Sequence, residues 1–394
     1  MRIGDENMSN NNQIKRRKKD SARLVWDSKP RGTPNPKDIE FQTAEIVISN
    51  PHRDQARLPM FVQNLARQEI DKSKMNRLIW GDNLLAMQAL LAQGYEGKIN
   101  LIYIDPPFWT GENYYANFTI EGEQITKEPS VIERLAYKDI WAGGIDSFLD
   151  MLYPRLQLMK RLLAENGSIY VHCDWHVGHY IKVIMDEIFG RECFRNEIAW
   201  VYTRPGVKYQ RQFPRVHDTI LWYSKDASVW TFNPDPIRIP YDEKTIERGK
   251  YSVATSKVTR GIHKRILPKG GKVPEDWWHI PIPPGNSKEY LYFPTQKPEK
   301  LLERIILASS NAGDLVADFF CGSGTTLAVA ERLGRRWIGV DFSKVAIQVT
   351  RNRLVNMDAK PFLVENIGNY QRHMIYLYGG RIYEMQRIVL KLYD

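Results

Sequence analysis

The sequence predicts an α/β fold built on a doubly wound, mostly parallel sheet with helices on both faces. Three observations carry that expectation. Between residues 76 and 189 short apolar strands alternate with helices of amphipathic pattern. The stretch 98–104 (KINLIYI) is apolar almost throughout, as a strand buried on both faces must be. From 314 to 341 the chain reads strand, glycine turn, helix, strand, which is a complete βαβ unit.

Taken in order, residues 76–80 read as a strand ending at Gly81-Asp82-Asn83, followed by a helix over 84–91. The strand 98–104 runs into Asp105-Pro106-Pro107-Phe108, where two prolines end any strand and leave a loop at its carboxyl end. Ser147 can cap a helix whose stripe is Phe148, Leu149, Leu152, Leu156, Met159 and Leu163, bent at Pro154 and closed by Asn166-Gly167. A strand follows at 168–172 and a helix at 177–189. The alternation breaks near Arg204, and up to Tyr290 the chain is rich in Pro, Gly and charge, so a separate irregular module is expected there. Order returns with Pro298 as first residue of a helix over 299–309. A strand at 314–320, a tight turn at 321–324, a helix at 325–333 and a strand at 336–340 ending on Asp341 complete the pattern.

The chain has 394 residues, enough for two or three units of about 100–200 residues each. Three cysteines exclude a disulfide framework, and no run of about 18 apolar residues spans a bilayer. The opening residues MRIGDENMSN lack the apolar core of a secretory signal, so a reducing, cytoplasmic setting is expected. The net charge is +10, unevenly spread. Residues 1–37 carry +6, including Lys15-Arg16-Arg17-Lys18-Lys19; residues 204–272 carry +9; everything else is acidic, at −5. The first segment reads as a solvated tail or as an arm that grips phosphates. In the second, charges interleave with Trp200, Tyr202, Tyr209, Phe213, Trp222, Tyr223, Trp230 and Tyr241, which suits phosphate contacts and base stacking, although 219–223 is also the pattern of a core strand.

Phe320-Cys321-Gly322-Ser323-Gly324 between a strand and a helix presents backbone amides at a helix N-terminus, where a carboxylate or phosphate is stabilised. Asp341, at the end of the next strand, stands where an acid can accept both hydroxyls of a ribose. The third glycine of a dinucleotide fingerprint would fall at Leu327, and no Lys follows Gly324 as in a Walker loop. A nucleoside bearing an amino-acid carboxylate fits better, and S-adenosylmethionine (SAM) is that ligand. Asp105-Pro106-Pro107-Phe108 is suited to an exocyclic amine on a flat ring. The carboxylate accepts one N–H, a carbonyl beside proline accepts the other, and Phe108 offers a stacking face. Drawing both hydrogens out of the ring plane frees the nitrogen lone pair for a sulfonium methyl.

These motifs resemble the amino-methyltransferases of DNA in their circularly permuted β group, in which the catalytic tetrapeptide precedes the SAM loop. The resemblance spans residues 76–357 and includes Trp80-Gly81-Asp82-Asn83, the segments 137–141, 167–174 and 217–225, and Thr295-Gln296-Lys297-Pro298. It is strongest to the adenine modification enzymes of restriction systems. It implies a Rossmann-like SAM-dependent methyltransferase with an inserted target-recognition module, acting on N6 of an adenine flipped out of double-stranded DNA. By the same likeness Asp105, Pro106, Pro107 and Phe108 form the catalytic loop, and Asp318, Phe320, Gly322, Ser323, Gly324 and Thr325 shape the methionine site with Lys297 near it. Asp341 takes the ribose and Asp82 lies by the cofactor's adenine. Asp at the first catalytic position goes with adenine, Ser with N4 of cytosine. Phe108 replaces the commoner Tyr, and Phe319 stands where Pro is frequent.

The resulting division is a basic extension 1–75, a catalytic half 76–203, a target-recognition insert 204–290, a SAM-binding half 291–357 and a tail 358–394. Partners compatible with the likeness are a second copy and a restriction subunit. N4-cytosine transfer, RNA amine transfer, protein glutamine transfer and a non-catalytic DNA-binding subunit are the competing readings. Cytosine-C5 chemistry needs a cysteine after proline, and Cys173, Cys193 and Cys321 all lack one. The cluster His172-Cys173-Asp174-Trp175-His176 to His179 has the residue types of a zinc site, but its spacing across a strand end and a helix start disfavours one, and no metal is expected.

Overall fold

The computed structural model describes residues 22–48, 72–107, 116–120, 123–127, 144–203, 211–241, 243–251, 253–255, 262–264, 268, 270–293 and 295–367. The strands in chain order are β1 (Phe41–Val47), β2 (Asn76–Trp80), β3 (Ile99–Ile104), β4 (Ala116–Ile120), β5 (Glu123–Lys127), β6 (Leu163–Cys173), β7 (Phe194–Val201), β8 (His217–Ser224), β9 (Val253–Thr255), β10 (Ile262–Lys264), β11 (Trp277–His279), β12 (Leu315–Asp318), β13 (Arg336–Asp341) and β14 (Phe362–Ile367). The α-helices are α1 (Asn83–Ala92), α2 (Gly144–Leu162), α3 (Gly178–Phe189), α4 (Glu243–Tyr251), α5 (Glu299–Ser309), α6 (Thr325–Arg332) and α7 (Lys344–Asn356).

Ten strands form one sheet in the order β1-β14-β2-β13-β12-β3-β6-β8-β7-β11; β4-β5 and β9-β10 pair separately. Every strand of the large sheet runs the same way except β1 and β8, which are antiparallel to their neighbours. The central strands are apolar on both faces because helices cover both. Ile102, Ile104, Ile169 and Val171 pack into one core with α1, α2 and α3, while Leu101, Tyr103, Val316 and Trp337 pack into the other with α5 and α6. The mostly parallel, doubly wound sheet is thus as the sequence predicts.

Several boundaries differ. Helix α2 begins at Gly144, so Ser147 lies inside it and is not its cap. It also ends at Leu162, because β6 starts one residue later and pairs Leu163 with Ile99 before the register shifts to Ser168 against Leu101. Pro298 is the N-cap of α5, in extended conformation, one position before the first helical residue. The irregular module expected over 204–290 is not separate at its ends. Both β8 and β11 belong to the main sheet, with Ile220, Leu221, Tyr223, Trp278 and Ile280 buried, since β7 needs a partner on each side. Nor is 22–48 a loose extension or 358–367 a tail. β1 and β14 close one edge of the sheet, Trp26 donates to Asp150 at 2.7 Å, and Lys29 pairs with Glu187 at 2.7 Å. Among the described residues no helix is long and apolar enough to cross a membrane.

Candidate active site

Because β2, β13, β12 and β3 are adjacent and parallel, their carboxyl ends bring four loops side by side. These carry Asp82 after β2, Asp341 ending β13, Phe320 to Gly324 after β12, and Asp105 after β3. Residues scattered over 260 positions of sequence thereby line one rim, the place where open α/β sheets take ligands.

The glycine turn is built from both sides. Asp318 is buried, accepting from the Phe320 amide at 3.0 Å and from the Thr326 hydroxyl at 2.5 Å. Burial pushes its carboxyl up to about 7, and the charges of Asp105 and Asp341 act in the same direction, against those two hydrogen bonds. Gly322 and Gly324 have φ of 49° and 72°, which favours residues without a Cβ. One oxygen of Asp341 accepts from the Gly322 amide and the other from the Ser343 amide, each at 2.8 Å. Behind the turn, Thr350 donates to the Gly322 carbonyl at 2.9 Å, and Arg353 donates to the Ser323 carbonyl at 3.2 Å and to the Thr325 hydroxyl at 2.9 Å.

The N-cap of α6 is Gly324, which has no side chain to cap the helix. An uncapped helix start, a backbone bare of side chains at two glycines and a carboxylate at the end of the neighbouring strand fit a nucleoside carrying a carboxylate. Asp82 has a structural task in the same rim. It caps α1 by accepting from the Leu84 amide at 2.6 Å and is paired with Arg155 at 3.0 Å. Its neighbour Asn83 donates to the Phe319 carbonyl at 2.7 Å, tying α1 to the glycine turn. Neither the cap nor the arginine partner, from α2, was read from the sequence, where Gly81-Asp82-Asn83 marked only the end of a strand.

Asp105 is the most unusual group. The Lys297 ammonium donates to its Oδ2, while its Oδ1 is buried and has no hydrogen-bond partner among the described residues. A buried carboxylate oxygen with nothing to accept is costly in a folded protein, and a ligand N–H is the natural remedy. Pro106 is buried and Pro107 half-buried beside it, whereas Phe108 lies outside the described residues. The sequence likeness placed Lys297 near the methionine site; the structure puts its ammonium on Asp105 and its backbone carbonyl 3.2 Å from the Thr325 hydroxyl.

Beneath Asp105 lies a buried polar chain that sequence reading did not assemble. Tyr103 OH meets His172 Nδ1 at 2.8 Å, His172 Nε2 meets Asp218 at 3.3 Å, and Tyr202 OH donates to Asp218 at 3.0 Å. Burial alone would raise Asp218, but the hydrogen bond and charge of His172, with the Lys297 charge, hold it below its ordinary value. Tyr103 is pushed far up, by burial first and then by the carboxylates of Asp105, Asp318 and Asp218. His172 therefore serves this chain, while His176 is held by Asp174 at 2.5 Å. Burial raises the thiols of Cys173, Cys193 and Cys321, which disfavours each as a nucleophile.

The basic, aromatic segment divides cleanly. Trp200, Tyr202, Trp222 and Tyr223 are core residues: stacking on bases is corrected for Trp200 and Tyr202, whereas Trp222 and Tyr223 follow the core-strand reading of 219–223. Outside the core, Phe213 is 93% exposed between exposed Arg211 and Arg215. Arg215 in turn lies 3.9 Å over the ring of Trp175, itself 52% exposed after β6. The 211–216 loop joins β7 to β8 at the same end of the sheet as Asp105. Tyr209, the run from Lys15 to Lys19, the segment 137–141 and the chain from 368 onward lie outside the described residues.

A family model described as "DNA methylase" matches residues 99–352. The Type II methyltransferase M.EcaI of Enterobacter cloacae is 30% identical over 335 residues, covering 71% of this chain and 69% of its own. The DNA adenine methyltransferase YhdJ of Escherichia coli is 32% identical over 278 residues, covering 70% of this chain and 82% of its own. Among solved structures, that of an M1.HpyAVI–SAM complex aligns at 21% identity and a TM-score of 0.44, over 71% of this chain and 98% of that one.

Proposed function

The chain belongs to the DNA methylase family, and we propose that it transfers a methyl group from SAM to the N6 amine of an adenine extruded from double-stranded DNA. The observation that carries this reading is Asp105 Oδ1, a buried acceptor with no partner among the described residues, at the strand end next to the glycine turn. The relatives named as type II and adenine methyltransferases support the choice of DNA and of adenine.

SAM supplies an electrophilic methyl on a sulfonium sulfur, which departs as a neutral thioether. The uncapped start of α6 and the turn at Gly322 and Gly324 receive its amino-acid end, and Asp341 its ribose. Asp82, held by Arg155, borders the same rim on the side of β2. Asp105 Oδ1 accepts one N–H of the target amine, orients the nitrogen lone pair, and takes up the proton that the nitrogen sheds once its new bond to carbon has formed. The Pro106 carbonyl accepts the second N–H, and Phe108 stacks on the base. Extrusion is needed because the reacting amine is otherwise inside the stack.

Arg211 and Arg215 contact phosphates on the same side, with Phe213 and Trp175 placed to meet bases. Sequence recognition belongs to segments 204–216 and 225–276, between strands that are part of the body. Incubation with methyl-labelled SAM and unmethylated plasmid DNA, followed by digestion to nucleosides, is expected to yield N6-methyladenine. N4-methylcytosine as sole product, or label only in RNA, overturns the substrate.

A further inference from the structure

We propose that Lys297 is a positioning residue for this reaction, fixing the Asp105 carboxylate with its ammonium and coupling that carboxylate through its own backbone to the glycine turn. The inference rests on the reading of Asp105 as the group that grips the target amine.

Lys297 reaches Asp105 from 192 residues further along the chain, in the loop that enters α5. Both side chains are largely removed from water, at 10% and 15% exposure, so the pair is fixed rather than fluctuating in solvent. A carboxylate rotates about its last torsion. An ammonium on Oδ2 selects one orientation and leaves Oδ1 as the acceptor for the incoming N–H.

Lys297 is itself held. Its carbonyl accepts from Thr325, the first residue of α6, and Thr325 is held by Arg353, which pairs with Glu299 at 2.7 Å. Gln296 next to it accepts from the Leu291 amide at 2.8 Å and donates to the Glu289 carbonyl at 2.5 Å. The other charged group acting on the ammonium from β8 is Asp218, through which the Tyr103–His172 chain also borders the site. Side chain to the catalytic loop and backbone to the helix start of the glycine turn make Lys297 a direct link between the two halves of the site.

The test uses Lys297→Met and Lys297→Arg in the full chain. Single-turnover transfer to plasmid DNA is expected to fall about 100-fold in Lys297→Met, the scale of a misplaced catalytic group. SAM affinity measured by calorimetry should stay at the parent value, and Lys297→Arg should recover at least part of the rate. A SAM affinity that falls in step with the rate makes Lys297 a cofactor clamp and overturns the proposal, as does an arginine variant no better than methionine. Urea unfolding adds a readout independent of methyl transfer. Lys297→Met should lower the midpoint, and adding Asp105→Asn should restore part of it, because the unpaired buried charge is gone. Additive losses overturn the coupling. A parent chain that leaves no N6-methyladenine refutes the reaction instead, while the unfolding cycle still decides whether the two residues are coupled.

Discussion

Gly324 and Thr350 stand so close that a Cβ on the glycine would lie 2.5 Å from the threonine methyl and 2.7 Å from its hydroxyl oxygen. The hydroxyl is not free to move aside, since it holds the Gly322 carbonyl. Helix α7 therefore presses on the glycine turn from behind and sets its shape. Gly324→Ala combines that collision with a φ of 72°, a strain of about 1–3 kcal/mol. We expect SAM affinity to drop at least tenfold by calorimetry while circular dichroism stays that of the parent; unchanged affinity would show that the turn does not shape the cofactor site.

Asp105→Ala removes the acceptor for the amine and leaves the glycine turn in place. Methyl transfer should fall by about three orders of magnitude or more, in line with loss of a preorganised electrostatic contact. SAM binding should persist. If binding is lost together with transfer, Asp105 serves the cofactor and not the base.

Asp318 gives stability a defined pH dependence. Its folded value of about 7 lies above the ordinary 3.8, so the folded chain holds a proton that the unfolded chain has released between those two values. The sign follows: this group's contribution is most favourable at low pH and is lost as pH rises from about 4 to about 7, by a few kcal/mol in total. Between pH 8 and pH 6 the urea midpoint of the parent should therefore rise relative to that of Asp318→Asn. Parallel curves for the two proteins would refute the assignment.

Arg211→Ala with Arg215→Ala tests the DNA face. Each lost phosphate contact should reduce the slope of log affinity against log salt by about 1. Anisotropy with a labelled duplex across a potassium chloride series reads this directly. An unchanged slope would move the phosphate contacts elsewhere. Because Arg215 also covers Trp175, its single variant should alter tryptophan emission, whereas Arg211→Ala should not.

Much of this was legible in the amino-acid sequence where physics is local. β3 announces itself because a strand covered on both faces is apolar almost throughout, β13 follows from the strand, turn, helix, strand order, and the turn between β12 and α6 has glycines at positive φ. What stayed hidden depends on partners far along the chain. β11 is three residues long, with only Trp278 buried, and is a strand solely because β7 offers it an edge. β1 buries only Val47 fully and carries no alternation strong enough to read. His172 sits in a cluster of zinc-ligand residue types whose spacing disfavours a metal, but its actual task, a hydrogen-bonding link between Tyr103 and Asp218 from two other strands, could not be read from that cluster. Lys297 was recognised as a site residue, but its partner could not be deduced from spacing.

The antiparallel pairing of β1 with β14 sets Phe41 directly opposite Ile367 at one edge of the sheet. In the same sheet, the strand that carries Asp105 and the strand that enters the glycine turn meet by lateral pairing of β3 with β12 and not by succession along the chain. The order in which the two segments are synthesised is therefore immaterial to the rim they build, which depends only on which strands lie side by side.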